Sequence, residues 1–192
     1  VVANGKQIPH APELAAALQR AAPALAGLVL NVNTQDTNVI LGSEFRTIWG
    51  RNFLEETLCG LSFRLSVPSF FQINREQTQR LYKKVLEYAA LSGQETVLDL
   101  YCGIGTISLA LAQKAGQVIG AEIVPEAVQD ARDNARRNGM VNARFLCGDA
   151  GQAAFQLANE GVQPQVICVD PPRKGLAPEV PEILASMGPE RI

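Results

Sequence analysis

The chain has 192 residues, the length of one domain or of one domain with a small appendage. With 47% hydrophobic and 19% charged residues it is neither disordered nor fibrous, and at this length about 70% of the unfolded surface can be buried without help from disulfides or metals. A net charge of −2 gives no broad electrostatic footprint for nucleic acid or an anionic membrane, so any RNA binding needs a local basic patch. The longest apolar runs, Leu25–Leu30 and Ile107–Ala112, fall far short of the ~20 residues a membrane span requires. No basic segment precedes an apolar one at the start, so no signal peptide is expected. The first residue is Val1 and not Met, from which we expect an excised piece of a longer protein.

Cys59, Cys102, Cys147 and Cys168 show no C-x-x-C spacing, so neither a zinc site nor a redox pair is expected; they read as free, buried thiols in a reducing, cytoplasmic setting. His10 is the single histidine and sits in a polar, proline-flanked stretch, which leaves almost no material for a metal site or a His-based triad.

Residues 1–68 read as a small α+β subdomain. Pro12–Ala22 forms a short helix stopped by Pro23. Short strands are expected at Leu28–Val32, Asn38–Leu41, Thr47–Trp49 and Leu61–Ser66, separated by turn residues. Nothing in this part has the spacing of an active site. It reads as a substrate platform or as packing.

From residue 69 the rhythm becomes helix–strand alternation. Asn74 with Gln77 three residues on resembles a capping box and opens a helix through about Leu91. Strand Glu95–Leu100, a glycine-rich turn, helix Thr106–Lys114 and strand Gln117–Ala121 follow. Pro125 and Gly139 frame the next helix, with Pro in its first turn and Gly just past its end. Strand Ala143–Leu146, helix Gly151–Ala158, strand Val166–Val169 and helix Glu179–Met187 complete the order, and Pro189–Ile192 looks like the first step into a further strand. The strands are apolar without alternation. That combination predicts an α/β, Rossmann-like parallel sheet with helices on both faces.

In such sheets ligands bind beyond the carboxyl ends of the strands. The first strand runs into Asp99-Leu100-Tyr101-Cys102-Gly103-Ile104-Gly105-Thr106, where Gly103 and Gly105 permit a tight turn and close approach of a ligand. A dinucleotide fingerprint wants a third glycine where Ser108 stands, which argues against NAD or FAD. The second strand ends in Glu122, whose carboxylate can accept from two ribose hydroxyls; the third ends at Gly148-Asp149, which could read an adenine amino group. The fourth ends at Asp170-Pro171-Pro172-Arg173, where two prolines stiffen the loop around Asp170. Four motifs after four consecutive strands point to a nucleoside cofactor.

These motifs carry a resemblance. D-L-Y-C-G-I-G-T at 99–106, A-E at 121–122, G-D at 148–149 and D-P-P-R-K-G at 170–175 resemble the S-adenosylmethionine-dependent RNA uracil-C5 methyltransferases. S-F-F-Q-I-N at 69–74 is similar to the family's F-x-Q-x-N signature, and N-V-N-T-Q-D-T-N-V-I-L-G at 31–42 resembles its central domain. The likeness is nearest to the bacterial 23S ribosomal RNA branch, with the tRNA-modifying branch second. Carried over by position, it implies that Gln72, Tyr101, Gly103, Gly105, Thr106, Glu122 and Asp149 contact S-adenosylmethionine, with Thr106 capping the glycine turn where the family often has Asn. It places Asp170 between cofactor and target base.

The resemblance also implies chemistry in which a cysteine thiolate adds to uracil C6. The family's S-C-N-P motif is absent here, so the nucleophile is expected beyond Ile192 and the chain is expected to bind cofactor without completing the reaction. A chain cut short there is expected to expose a sheet edge and an apolar face. No membrane, metal or iron–sulfur cluster is expected. The implied partner is RNA, ribosomal first and tRNA second, with Arg132, Arg136, Arg137, Arg173 and Lys174 as candidate contacts. Two other classes remain open: a methyltransferase acting on a base nitrogen through D-P-P, against which Arg173 counts because an aromatic residue is wanted there, and a non-catalytic cofactor- or RNA-binding module.

Overall fold

The computed structural model describes residues 1–37 and 39–192. Two compact units make up the chain, one formed by Val1–Glu55 with Leu65–Pro68 and the other by Glu56–Arg64 with Ser69–Ile192.

In the first unit, β1 (Val2–Ala3) pairs parallel to β2 (Gly27–Val32), which pairs antiparallel to β3 (Glu44–Gly50). Helix α1 (Ala11–Ala21) begins at His10, which is exposed, has φ of 55° and lies 3.7 Å from Glu13. Asn31, 3% exposed, holds the 31–42 segment closed: its amide donates to the carbonyls of Gly42 and Glu44 and its Oδ1 accepts from Gly42 N. The strand expected over Asn38–Leu41 does not form at Val39–Leu41, and Asn38 lies outside the described residues. The reason is local. Asn33 donates to the carbonyls of Val39 and Ile40, using acceptors that a strand partner would need.

A hairpin of β4 (Phe53–Leu58) and β5 (Leu61–Ser66) follows, turning through Cys59 and Gly60, both at positive φ. β4 was not expected, because F-L-E-E-T-L carries two adjacent glutamates that break the apolar alternation. The hairpin tip, Glu56–Arg64, belongs to the second unit.

The second unit is the expected parallel sheet. β6 (Thr96–Leu100), β7 (Gln117–Glu122), β8 (Ala143–Cys147) and β9 (Val166–Val169) lie in the order β8-β7-β6-β9, all parallel. Between them run α3 (Thr106–Ala112), α4 (Pro125–Arg137) and α5 (Ala150–Asn159), with α2 (Arg75–Ala89) before and α6 (Val180–Ser186) after. Residues alternate between the two faces as a strand's pleat requires. Val97, Val118 and Val166 pack with α2 and α3 through Ala89, Leu111 and Ala112. On the opposite face Leu98, Leu100, Ile119 and Ile167 pack with α5 and α6 through Ala154, Leu157 and Leu184. Both faces are thus covered. A single parallel bridge joins Val166 to Arg191, and Ile167 N donates to Arg191 O at 3.0 Å, so the expected step into a further strand is present beside β9.

Cysteine burial differs from expectation. Cys102 is buried, Cys59 and Cys168 are intermediate, and Cys147 is exposed. Cys147 is the last residue of β8, the strand at the sheet's edge. Among the described residues no helix is long and apolar enough to cross a membrane, and no group of three or more His, Cys, Asp or Glu could hold a metal ion.

Candidate functional site

The strand order reverses at β6: chain order proceeds outward through β7 and β8 on one side and jumps to β9 on the other. The carboxyl ends of β6, β7, β8 and β9 therefore open onto one rim, where ligands of open parallel sheets bind. Backbone bonds lace the loops on that rim together. Cys102 N donates to Ala121 O at 3.1 Å, Gly148 N to Glu122 O at 2.9 Å, and Asp170 N to Leu100 O at 3.4 Å.

The glycine turn after β6 takes three residues of special conformation close together. Tyr101, Gly103 and Gly105 have φ of 65°, 54° and 83°. Tyr101 in this region is uncommon for a side chain with a Cβ and marks a site held by its surroundings. An added Cβ on Gly103 would meet nothing within 4 Å, so the turn presents open backbone to the rim. On Gly105 it would meet Phe145 and Ala131 at 3.1–3.2 Å, so this glycine serves the close approach of the turn to α4 and β8.

Glu122, at the end of β7, is fixed against the turn. Its Oε2 accepts from Gly103 N at 3.1 Å and its Oε1 from Val124 N at 2.9 Å. Both oxygens are thereby aimed, and a carboxylate oxygen can accept a second bond. Asp149 is the N-cap of α5, with Oδ1 accepting from Gly151 N at 2.9 Å. Its charge reaches the Tyr101 phenol, whose proton affinity is raised by burial, by Asp149 and by Glu179. Asp170 is exposed, and Gly175 N closes the loop after it onto Pro172 O at 2.8 Å.

One expected residue stands differently. Thr106 does not cap the glycine turn: α3 begins at Gly105 without a side-chain cap, and the Thr106 hydroxyl lies 2.7 Å from the Tyr82 hydroxyl instead. The tie holds the start of α3 to α2, and the buried Tyr82 phenol is pushed up to about 12. Gln72 lines a surface pocket with Asn74, Gln77 and Thr78, of which Tyr101, Gly103 and Glu122 are not part. Of the candidate RNA contacts, Arg132 donates to the Phe145 carbonyl at 2.8 Å and Arg136 pairs with Asp133, while Arg173 and Lys174 are exposed beside D-P-P.

Beneath the turn lies a group that sequence reading did not single out. Asp99 is 1% exposed and accepts from Ser108 Oγ at 2.5 Å. Burial first, with the charges of Asp170 and Glu122 adding to it, pushes its carboxyl up to about 7 against the opposing pull of the Ser108 bond. The position where a dinucleotide-binding turn would want glycine is thus filled by the hydroxyl that Asp99 needs. Cys102, in the same turn, has its thiol pushed well up by burial and then by Asp99 and Glu122.

The sheet, the glycine turn and the acidic strand end define the class: this is the Rossmann-like fold of S-adenosylmethionine methyltransferases. Residues 91–170 match a methyltransferase domain. The chain is similar to uncharacterized RNA methyltransferases, 44% identical over 192 residues to one from Halalkalibacterium halodurans and 46% identical over 192 residues to one from Caldanaerobacter subterraneus. Each match takes in 100% of this chain and 42% of the relative, so the chain spans well under half the length of these curated relatives. Among solved structures it resembles the Pyrococcus abyssi tRNA (uracil-54, C5)-methyltransferase in complex with S-adenosyl-L-homocysteine, with a TM-score of 0.74 at 27% identity over 98% of this chain and 43% of that one. A SAM-dependent methyltransferase from Agrobacterium tumefaciens superposes with a TM-score of 0.62 at 18% identity, covering 88% of this chain and 57% of that one, a likeness of fold alone.

The residues present fit S-adenosylmethionine by an observation internal to the structure. The backbone at Gly103 is open where a Cβ would obstruct a ligand, and a carboxylate clamped by two amides stands directly beside it.

Proposed function

We propose that this chain is the cofactor-binding part of an RNA methyltransferase that methylates C5 of uridine, and that Glu122 and the glycine turn hold S-adenosylmethionine. The observation that carries the reading is the Glu122 carboxylate bridging Gly103 N and Val124 N at the mouth of the open turn. The cofactor supplies an electrophilic methyl group on a sulfonium. In this reading Glu122 accepts from the ribose hydroxyls, Tyr101 and Gly103 line the methionine side, and Gly105 lets the turn close on α4. Asp149 stands toward the base with one oxygen engaged in capping α5, Thr106 contributes through its tie to Tyr82, and Gln72 approaches from the S-F-F-Q-I-N segment. Asp170 faces the target base from the end of β9.

Uracil C5 methylation calls for a thiolate, and the S-C-N-P motif that carries it in the family this sequence resembles is absent here. Cys102 is buried with its thiol pushed well up, and Cys168 is pushed up by burial and then by Asp99 and Asp170. We therefore place the nucleophile outside this chain and expect the chain alone to bind cofactor without turnover. The RNA is proposed to be ribosomal, on the D-P-P-R-K-G and F-F-Q-I-N motifs, with Arg173 and Lys174 beside it. The likeness to the Pyrococcus abyssi enzyme supports tRNA as the second reading.

The test is a calorimetric titration of the chain with S-adenosylhomocysteine, beside Glu122→Ala. Saturable binding, weakened by about 1–3 kcal/mol in the variant, is expected. A folded wild-type chain that takes up no ligand would refute the reading.

A further inference from the structure

Asp130 and Asn134 of α4 and Asn138, its C-cap, follow at four-residue spacing, which places them in one stripe. Each grips a different point of the chain that precedes α2. Asp130 Oδ2 accepts from Ser69 Oγ at 2.7 Å, at the first residue of S-F-F-Q-I-N. Asn134 Oδ1 accepts from Arg64 N at 2.8 Å, and its Nδ2 donates to Arg64 O at 3.3 Å. Asn138 repeats the pattern on Ser62, accepting from its N at 2.9 Å and donating to its O at 2.7 Å. The two asparagines thus pair with alternate residues of β5 as a neighbouring strand would.

Asn134 differs from Asn138, whose second amide hydrogen goes to Asn134 O at 2.8 Å. Asn134 is 0% exposed, and its Nδ2 also donates to Ile104 O at 3.3 Å, between the two glycines of the turn. Both amide hydrogens and the amide oxygen are therefore engaged, in a place where an unmade bond leaves a buried group unsatisfied. Ile104 is itself buried, so the turn cannot move at that carbonyl without disturbing the amide.

We propose that Asn134 is a positioning residue for the cofactor site, its single side chain holding the glycine turn at Ile104 and the hairpin tip at Arg64 in one fixed relation. The proposal rests on the cofactor reading of that turn. Binding at the turn then stiffens the hairpin tip, and loosening the tip weakens binding.

The experiment compares wild type with Asn134→Asp, Asn134→Ser and Asn138→Asp by titration with S-adenosylhomocysteine and by hydrogen exchange with and without it. Asn134→Asp keeps an acceptor for Arg64 N but loses the donor to Ile104; Asn134→Ser removes the amide without adding charge and serves if the aspartate unfolds the chain. Asn138→Asp makes the same loss at the hairpin, gives up its bond to Asn134 O as well, and touches no atom of the turn. Both Asn134 variants are expected to bind about tenfold more weakly, the cost of about one hydrogen bond, with Asn138→Asp within about twofold of wild type. In wild type the ligand should slow exchange at the Ser62 and Arg64 amides, and without ligand the Asn134 variants should speed exchange at Gly105. Wild-type binding with equal affinity in the Asn134 variants would overturn the inference while sparing the cofactor reading. No wild-type binding would sink the cofactor reading, and Gly105 exchange unchanged by Asn134→Ser would then sink the inference as well.

Discussion

Replacing Asp99 with Asn should flatten the pH dependence of stability. The native carboxyl holds its proton up to about pH 7, whereas in the unfolded chain it gives the proton up near the ordinary value of 3.8. Between those values the native state binds more protons than the unfolded state. Stability therefore falls as pH rises through this window, being fully present below about pH 4 and lost above about pH 7. The full difference, 7 minus 3.8, is 3.2 pKa units, or about 4 kcal/mol, of which about 2–3 kcal/mol falls between pH 5 and 8. Neighbouring groups titrate elsewhere. Glu95, held down to about 2 by Ser92 and nearby backbone amides, acts only in acid, and Tyr82, pushed up to about 12, only in strong base. The assay is urea unfolding at pH 5, 6, 7 and 8, on wild type and Asp99→Asn. The variant can still accept from Ser108 and carries no proton to lose, so its curve should be flat and it should gain on wild type at pH 8. A wild-type stability that is level from pH 5 to 8, or a variant with the same slope, would refute the placement of a buried carboxyl with a raised pKa at this point.

Gly120→Ala should cost about 1–3 kcal/mol, read from the urea midpoint. Its new Cβ would meet the Phe145 ring at 2.6 Å and Cys102 Sγ at 2.9 Å, and both neighbours are buried. A thiol reagent should label exposed Cys147 in the native chain and leave Cys102 untouched until denaturant is added, as mass spectrometry of the peptides would show. Equal labelling of the two would contradict the packing of the glycine turn.

The α4 stripe shows where sequence reading stopped short. In D-A-R-D-N-A-R-R-N the arginines draw attention as a basic face, yet Arg132 spends itself on the Phe145 carbonyl and Arg136 on Asp133. The asparagines between them do the structural joining. Their four-residue spacing was a readable signal, since a polar stripe on the same helix as buried Val128, Ala131 and Ala135 needs partners. Asp99 gave a similar hint in hindsight: a charged residue inside the otherwise apolar run V-L-D-L demands a donor, and Ser108 stands one helical stretch away.

The sequence by itself determined the alternation of strands and helices in the second unit, the parallel sheet and the glycine turn. These follow from apolar runs of strand length, from Pro125 and Gly139 at the ends of α4 and from Asn74 capping α2, all of which act within a few residues of themselves. Tertiary structure decided everything that joins distant positions. Asn134 meets Ile104 across 30 residues and Arg64 across 70, and Thr106 meets Tyr82 across 24, because helices packed on one sheet face bring those groups within hydrogen-bond reach. The same packing left Cys147 exposed at the sheet's edge and turned Val39–Leu41 into a tethered loop, since burial and backbone pairing depend on what lies alongside a segment and not on its own composition.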